Sequence, residues 1–114
     1  MTGPIPPKDV IRILEEIGVL LELKGESPFK SIAYANAARR LETLDEDLGE
    51  LVRRGGLTSI KGIGDALSRK ITELVTTGRL EYYENLKASV PPGHLEMLRI
   101  PGLGPRKIRA LYEK

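Results

Sequence analysis

Two stretches of this chain carry residues whose types and spacing suit them to gripping an anion. The first runs Leu57-Thr58-Ser59-Ile60-Lys61-Gly62-Ile63-Gly64-Asp65-Ala66-Leu67. The second begins forty residues later and runs Met97-Leu98-Arg99-Ile100-Pro101-Gly102-Leu103-Gly104-Pro105-Arg106-Lys107. Each has the form hydrophobic-x-Gly-hydrophobic-Gly followed by a helix-compatible segment. Glycine takes positive φ and permits close approach, so such a turn joins two helices tightly. The helix that follows opens with unpaired backbone N–H groups and a partial positive charge, which together suit a phosphate. With no side chain on Gly62, Gly64, Gly102 or Gly104, a phosphate can reach the main chain, and Ile63 and Leu103 between them belong to the same expected grip. Lys61, Arg69 and Lys70 in the first copy, and Arg106, Lys107 and Arg109 in the second, add cationic charge around it. Contacts of this kind fix position on a nucleic acid backbone and carry no sequence information. One such turn is equally an ordinary connection between helices. Two in register, in the basic half of the chain, point to a polyanion.

The elements that must position these turns read as helices. From about Pro7, the residues Val10, Ile13, Leu14, Ile17, Leu20 and Leu21 recur at intervals of three and four, one face of a helix that Gly25 ends. Gly18 lies inside it and should weaken it by about 1 kcal/mol relative to Ala. Ser27-Pro28 is a helix start, Ser as the cap and Pro in the first turn. Phe29, Ile32, Ala33, Ala37 and Leu41 give this second helix its expected apolar stripe, with alanines that admit a close neighbour. Asp45 to Arg54 reads as a short third helix, acids early and arginines late, burying Leu48, Leu51 and Val52. The first repeat supplies a brief helical turn, the hairpin, and a helix from about Asp65 to Thr77 with Gly78 beyond its end. Leu80, Tyr83 and Leu86 mark another helix, and Ser89-Val90-Pro91-Pro92-Gly93 reads as a linker. The last helix starts near Pro105 and is still running at Lys114, as in a piece of a longer protein. No segment alternates with period two, so the expected fold class is all-α, a small helical bundle.

Composition narrows the chemistry. There is no Cys and a single His94 in 114 residues, which excludes disulfides, thiolate metal sites and a His-pair metal centre within one chain. No apolar run approaches the roughly 20 residues of a membrane span, and no signal peptide opens the chain, so a soluble cytoplasmic protein with no membrane partner is expected. The net charge of +2 is unevenly spread: residues 1–54 carry eight Lys/Arg against ten Asp/Glu, whereas residues 55–114 carry ten against six. The basic half holds both repeats, as a polyanion partner would require. The acidic clusters Glu15-Glu16, Asp45-Glu46-Asp47 and Glu81/Glu84 read as solvated helix faces or caps. Tyr83 reads as core and Tyr82 as surface.

The repeated pattern resembles the helix-hairpin-helix motif in both copies. Pro28-Phe29-Lys30-Ser31-Ile32-Ala33-Tyr34-Ala35-Asn36-Ala37-Ala38, Leu57 to Gly78 and Val90 to Lys114 resemble the N-terminal region of bacterial and archaeal family X DNA polymerases. Leu21-Glu22-Leu23-Lys24-Gly25-Glu26 and Tyr82-Tyr83-Glu84 extend the resemblance over nearly the whole chain. It implies a flexible tail at 1–8, a lyase-type helical domain at 9–89 with the first motif at 57–78, and a second motif at 90–114 that begins a truncated fingers domain. It implies a repair function on gapped DNA bearing a 5′-phosphate, the two motifs binding opposite sides of the gap and the chain acting as a monomer. No cofactor is implied for this part of the chain beyond a monovalent cation, Na+ or K+, bridging to phosphate. Its ligands would be the backbone carbonyls of Thr58, Ile60 and Ile63 in one motif and of Leu98, Ile100 and Leu103 in the other. Lys30 and Tyr34 match positions that hold the 5′-phosphate, and their i, i+4 spacing puts them on one helix face.

The resemblance also implies a catalytic role for Lys70, which matches the lysine that forms a Schiff base with an abasic sugar. On a helical wheel Lys70 borders the apolar stripe of Leu67, Ile71, Leu74 and Val75, and desolvation together with neighbouring Arg69 favours the neutral amine that imine formation needs. The sequence departs from the lyase pattern nearby. Thr58, Ala66 and Tyr82 stand where lyase-active relatives have further phosphate-gripping lysines, and Arg69 stands where an acid is expected. Carboxylates for polymerisation belong to a palm domain that these residues do not include. Three readings therefore stand: a DNA-binding module, a 5′-deoxyribose-phosphate lyase acting through Lys70, and a non-catalytic adaptor whose hairpins contact protein.

Overall fold

The computed structural model of the chain describes residues 5–112, and among these it is built of seven α-helices and one 3-10 turn, with no strand. The helices are α1 (Pro7–Leu23), α2 (Pro28–Glu42), α3 (Leu48–Arg53), α4 (Asp65–Thr77), α5 (Glu81–Ala88), α6 (Pro92–Met97) and α7 (Pro105–Tyr112); the 3-10 turn is Leu57–Ser59. The all-α class expected from the sequence is the class observed. Pro6 takes the cap position of α1 and Pro7 its first turn, so the helix takes in Pro7 and Lys8, which the expected tail included. Residues 1–4 of that tail lie outside the described residues.

The first helix is the hub: α2, α4, α5 and α7 all pack on it. Val10, Leu14, Ile17 and Leu20 are fully buried along its length. At Gly18 α2 packs close, since a Cβ there would meet the Ser31 carbonyl oxygen at 3.2 Å, and the Ser31 hydroxyl donates to the Gly18 carbonyl at 3.0 Å. The helix-weakening glycine is thus a site of helix–helix approach, and Ala37 and Ala38 of α2 are buried.

The buried face of α2 differs from the expected stripe. Ser31 sets the rotation against α1, so Tyr34, Ala37, Ala38 and Leu41 turn inward, and Phe29 and Ile32 are left 83% and 53% exposed. Ser27 caps the helix as its type predicts, its hydroxyl accepting from Phe29 N–H at 3.2 Å. The third helix is shorter than its charge pattern suggested, because the Asp47 carboxylate caps it by accepting from Glu50 N–H at 3.2 Å. Leu48 and Leu51 are buried and Val52 is half-buried.

The proline-rich linker is a helix start instead. Val90 is buried, Pro91 takes the cap position and Pro92 the first turn of α6, where proline loses no hydrogen bond. The chain therefore passes from α5 into the second repeat without a spacer. Lys24, just after α1, ties this junction down by donating to the Ser89 hydroxyl at 2.9 Å. Ile108 of α7 is fully buried, which anchors the second repeat to the same core.

Candidate nucleic-acid interface

Both repeats fold into the same hydrogen-bonded frame. In the first, Ile60 N–H donates to Leu57 C=O at 3.0 Å, Ile63 N–H to Ile60 C=O at 3.1 Å, and Ser68 N–H to Gly64 C=O at 2.9 Å. In the second, Ile100 N–H donates to Met97 C=O at 3.0 Å, Leu103 N–H to Ile100 C=O at 3.1 Å, and Ile108 N–H to Gly104 C=O at 3.1 Å. Every donor and acceptor recurs forty residues on. The first glycine of each pair takes the left-handed backbone, Gly62 at φ 94° and Gly102 at φ 82°. Gly64 does not: at φ −89° and ψ −173° it is extended, and Gly104 is likewise absent from the positive-φ glycines. No neighbouring atom requires glycine at either position, since a Cβ there would meet nothing within 4 Å, and the main chain is open on that side.

The frame decides which amides remain for a ligand. Ile63 and Leu103 N–H are taken by the turn itself, and their side chains anchor it, Ile63 buried and Leu103 half-buried. The N–H groups of Gly64, Asp65, Ala66 and Leu67 have no backbone acceptor among the described residues. In the second copy, Gly104, Arg106 and Lys107 are in the same position, while Pro105 has no N–H to offer. Donors and helix dipole thus converge at the openings beside Gly64 and Gly104. The copies differ in charge: Asp65 puts an acid in the first turn of α4, and the first turn of α7 has none.

The carbonyls expected to hold a cation divide into two kinds. Those of Ile60 and Ile100 each accept a turn N–H, leaving one lone pair, whereas those of Thr58, Ile63, Leu98 and Leu103 accept none among the described residues.

Of the basic residues, Lys61, Arg69, Arg106 and Lys107 are exposed, and Arg109 is half-buried. Arg106, its side chain 91% exposed, lies 3.7 Å from the Glu22 carboxylate of α1. Lys107 Nζ reaches back to the Gly102 carbonyl at 3.4 Å. The Arg109 guanidinium packs by Gly25, where a Cβ would stand 3.4 Å from it. Lys61 borders a cleft of about 560 Å³ with Gly62, Asn36, Arg39, Arg40 and Thr43. The two arginines of this cleft, Arg39 and Arg40, carry no local sequence signal of it, because nothing in the last turn of α2 points to a hairpin twenty residues further on.

Lys30 and Tyr34 share a helix but not an environment. Lys30 is exposed, 3.6 Å from Glu26, while Tyr34 is buried. The Tyr34 ring stacks on Tyr82 with centroids 6.2 Å apart and planes 8° from parallel. Burial first, then the neighbouring Tyr82, push the Tyr34 phenol above its ordinary value. Tyr82 is therefore a half-buried bridge and not a free surface ring. Lys70 is half-buried on α4 with its Nζ 4.7 Å from the Tyr82 ring centroid, a cation–π distance. Lys70, Tyr82 and Tyr34 thus form one stack. The next residue of α5, Tyr83, is buried and its hydroxyl donates to the Glu16 carboxylate at 2.6 Å.

Comparison with known proteins agrees with this geometry. A family described as a helix-hairpin-helix domain matches residues 5–80. The chain is also 41% identical over 107 residues to the DNA polymerase/3′-5′ exonuclease PolX of Bacillus subtilis (strain 168), an alignment covering 94% of this chain and 18% of that relative. The resemblance to family X polymerases drawn from the repeats is thus matched by a relative of that kind, of whose length the chain spans less than a fifth.

Proposed function

We propose, since this chain belongs to the helix-hairpin-helix domain family, that it binds DNA without sequence preference by gripping backbone phosphates at both hairpins. The single observation that carries this reading is the duplicated frame, with free helix-start amides beside a glycine position open to solvent in each copy. An adaptor that contacts protein would not need two main-chain anion sites flanked by Lys61, Arg69, Arg106, Lys107 and Arg109. In its finer form, the chain is the N-terminal part of a family X repair polymerase acting on gapped DNA with a 5′-phosphate, the hairpins engaging opposite sides of the gap. Na+ or K+ at the Thr58, Ile63, Leu98 and Leu103 carbonyls, with Ile60 and Ile100 contributing a remaining lone pair, would bridge main chain to phosphate.

Neutralising roughly four phosphates gives a log–log slope of affinity against salt of about −3 to −4 on duplex. Titration of a gapped 5′-phosphorylated duplex at several salt concentrations measures it; a flat response would refute the reading, and preference for gapped over intact duplex supports its finer form.

A second reading, lyase chemistry at Lys70, is supported by a half-buried lysine with no ion-pair partner among the described residues, on the helix that follows the first hairpin. The neutral amine would add to the C1′ aldehyde of the abasic sugar and water would leave to give the imine. The contact with Tyr82 ranks this reading second, because a ring face attracts the ammonium and must be released first. Borohydride trapping on a pre-incised abasic substrate, lost in Lys70→Ala, is its signature; no trapping would eliminate it.

A further inference from the structure

Next to the first hairpin lies a cleft that the frame of the hairpin does not use. Its walls are Asn36, Arg39, Arg40 and Thr43 at the C-terminal end of α2, and Lys61 and Gly62 of the hairpin itself. Three cations face it, and none of the three has a carboxylate at ion-pair distance among the described residues. Elsewhere some surface arginines are paired, Arg54 with Glu46 at 2.7 Å and Arg53 with Glu50, whereas exposed Arg69, Arg79 and Arg99 have no carboxylate at ion-pair distance among the described residues. What sets the cleft apart is that its three cations line one cavity.

A plainer account is available for Arg39 and Arg40, since cations in the last turn complement the helix dipole. It does not explain Lys61, which belongs to no helix yet closes the same cleft. The Thr43 hydroxyl shares its one proton between the Arg39 and Arg40 carbonyls, at 3.4 and 3.3 Å, and so takes up part of the exposed negative end of α2. Beside that partly capped end, the cleft presents three cations and the Asn36 amide. Glu15, Glu22 and Glu42 line a separate pocket that shares only Arg39 with the cleft, and no carboxylate is among the described residues that line the cleft itself.

We infer that this cleft is a second phosphate site, which receives the backbone phosphates flanking the one held at Gly64, on the same DNA strand. The inference rests on the DNA-binding reading above and extends the first grip from one phosphate to a short run. Lys61 and Gly62 form the shared wall: the strand leaves the hairpin amides on one side of them and enters between Arg39 and Arg40 on the other. Arginine suits this task, because its planar fork meets phosphate oxygens with two parallel hydrogen bonds. The acid at Asp65 makes such reinforcement useful at the first hairpin, where the helix start alone is the less favourable of the two for an anion.

The test compares Arg39→Gln/Arg40→Gln with Arg53→Gln/Arg54→Gln in the whole chain, titrating a 5′-phosphorylated gapped duplex at several salt concentrations. Both double variants remove two positive charges from exposed positions, and glutamine keeps the helix propensity. Each lost phosphate contact removes about 0.9 from the salt slope, so the α2 variant should lose about 2 units and bind about tenfold more weakly at low salt. The α3 variant should match wild type. A wild-type slope in the α2 variant, or equal losses in both variants, would overturn the cleft site while leaving hairpin binding intact. Absence of binding by the wild-type chain would instead sink the reading on which it rests. Circular dichroism of each variant establishes that it is folded.

Discussion

Within each hairpin the two glycines do different work, and alanine separates them. Gly62 and Gly102 sit at φ 94° and 82°, with no atom within 4 Å of an added Cβ, so the cost of alanine there is backbone strain alone. A non-glycine residue held in that region costs about 1–3 kcal/mol, and the loss of glycine's freedom in the unfolded chain returns about 0.4–1 kcal/mol. Gly62→Ala and Gly102→Ala should each destabilise by about 1–2 kcal/mol, lowering Tm by about 4–10 °C. Gly64 and Gly104 carry no such strain, being outside the left-handed region, and a methyl would project into open space. At those positions the weaker cap quality of alanine and the gain in the unfolded state roughly cancel, each being about 0.5–1 kcal/mol. Stability should hardly change, but the methyl stands where a phosphate must approach, so the Gly64→Ala/Gly104→Ala pair should lose at least tenfold in DNA affinity, about 1.4 kcal/mol. Urea denaturation and fluorescence-anisotropy titration of the same four preparations read the two effects apart. Undiminished affinity in Gly64→Ala/Gly104→Ala, with its fold intact, would refute the main-chain grip.

Three further outcomes follow from the packing. Ile108→Ala removes a fully buried side chain that joins the second repeat to the core and should cost about 2–5 kcal/mol, read as a shift in the urea midpoint. Phe29→Ala should leave stability within about 0.5 kcal/mol, because that ring is 83% exposed and outside the α1–α2 contact. Tyr83→Phe removes the hydrogen bond to Glu16 and should cost about 1–2 kcal/mol at neutral pH. Burial first, and for Tyr83 then the Glu16 hydrogen bond, hold the Tyr34 and Tyr83 phenols above the ordinary value of 10.0. Above pH 10 the unfolded chain ionises these tyrosines while the folded protein keeps them protonated, so stability is full below that pH and falls as pH rises, by up to about 1.4 kcal/mol per unit for each. Urea midpoints between pH 8 and 11.5 should show a shallower alkaline decline in Tyr83→Phe than in wild type.

The parts that were legible in the sequence are those set by local chemistry. Apolar spacing gave α1, Ser27-Pro28 gave the start of α2, and Asp65 to Gly78 gave α4 and its end. The forty-residue repeat proved to be a repeated hydrogen-bond frame. What the sequence hid depends on which face a helix turns to its neighbour. Phe29 and Ile32 look like core by spacing, but the close approach of Ser31 to Gly18 rotates them outward. Pro91-Pro92 look like a break, yet a proline that starts a helix has the same local signature. Tyr82 beneath Lys70, and Arg39 and Arg40 beside Lys61, are juxtapositions made by packing, which no spacing along the chain reveals. The distinction between Gly62 and Gly64 was equally hidden, since both letters permit either conformation.

The central claim is that both hairpins hold DNA by their main chain. Amide NMR of the whole chain, recorded while a gapped 5′-phosphorylated duplex is added, tests it directly. The account predicts that Gly64, Asp65, Gly104 and Arg106 N–H resonances shift together and return as salt is raised, with Ile63 and Leu103, already bonded within the turns, moving least among the hairpin amides. Shifts confined to one hairpin, or to side-chain surfaces away from Gly64 and Gly104, would contradict it.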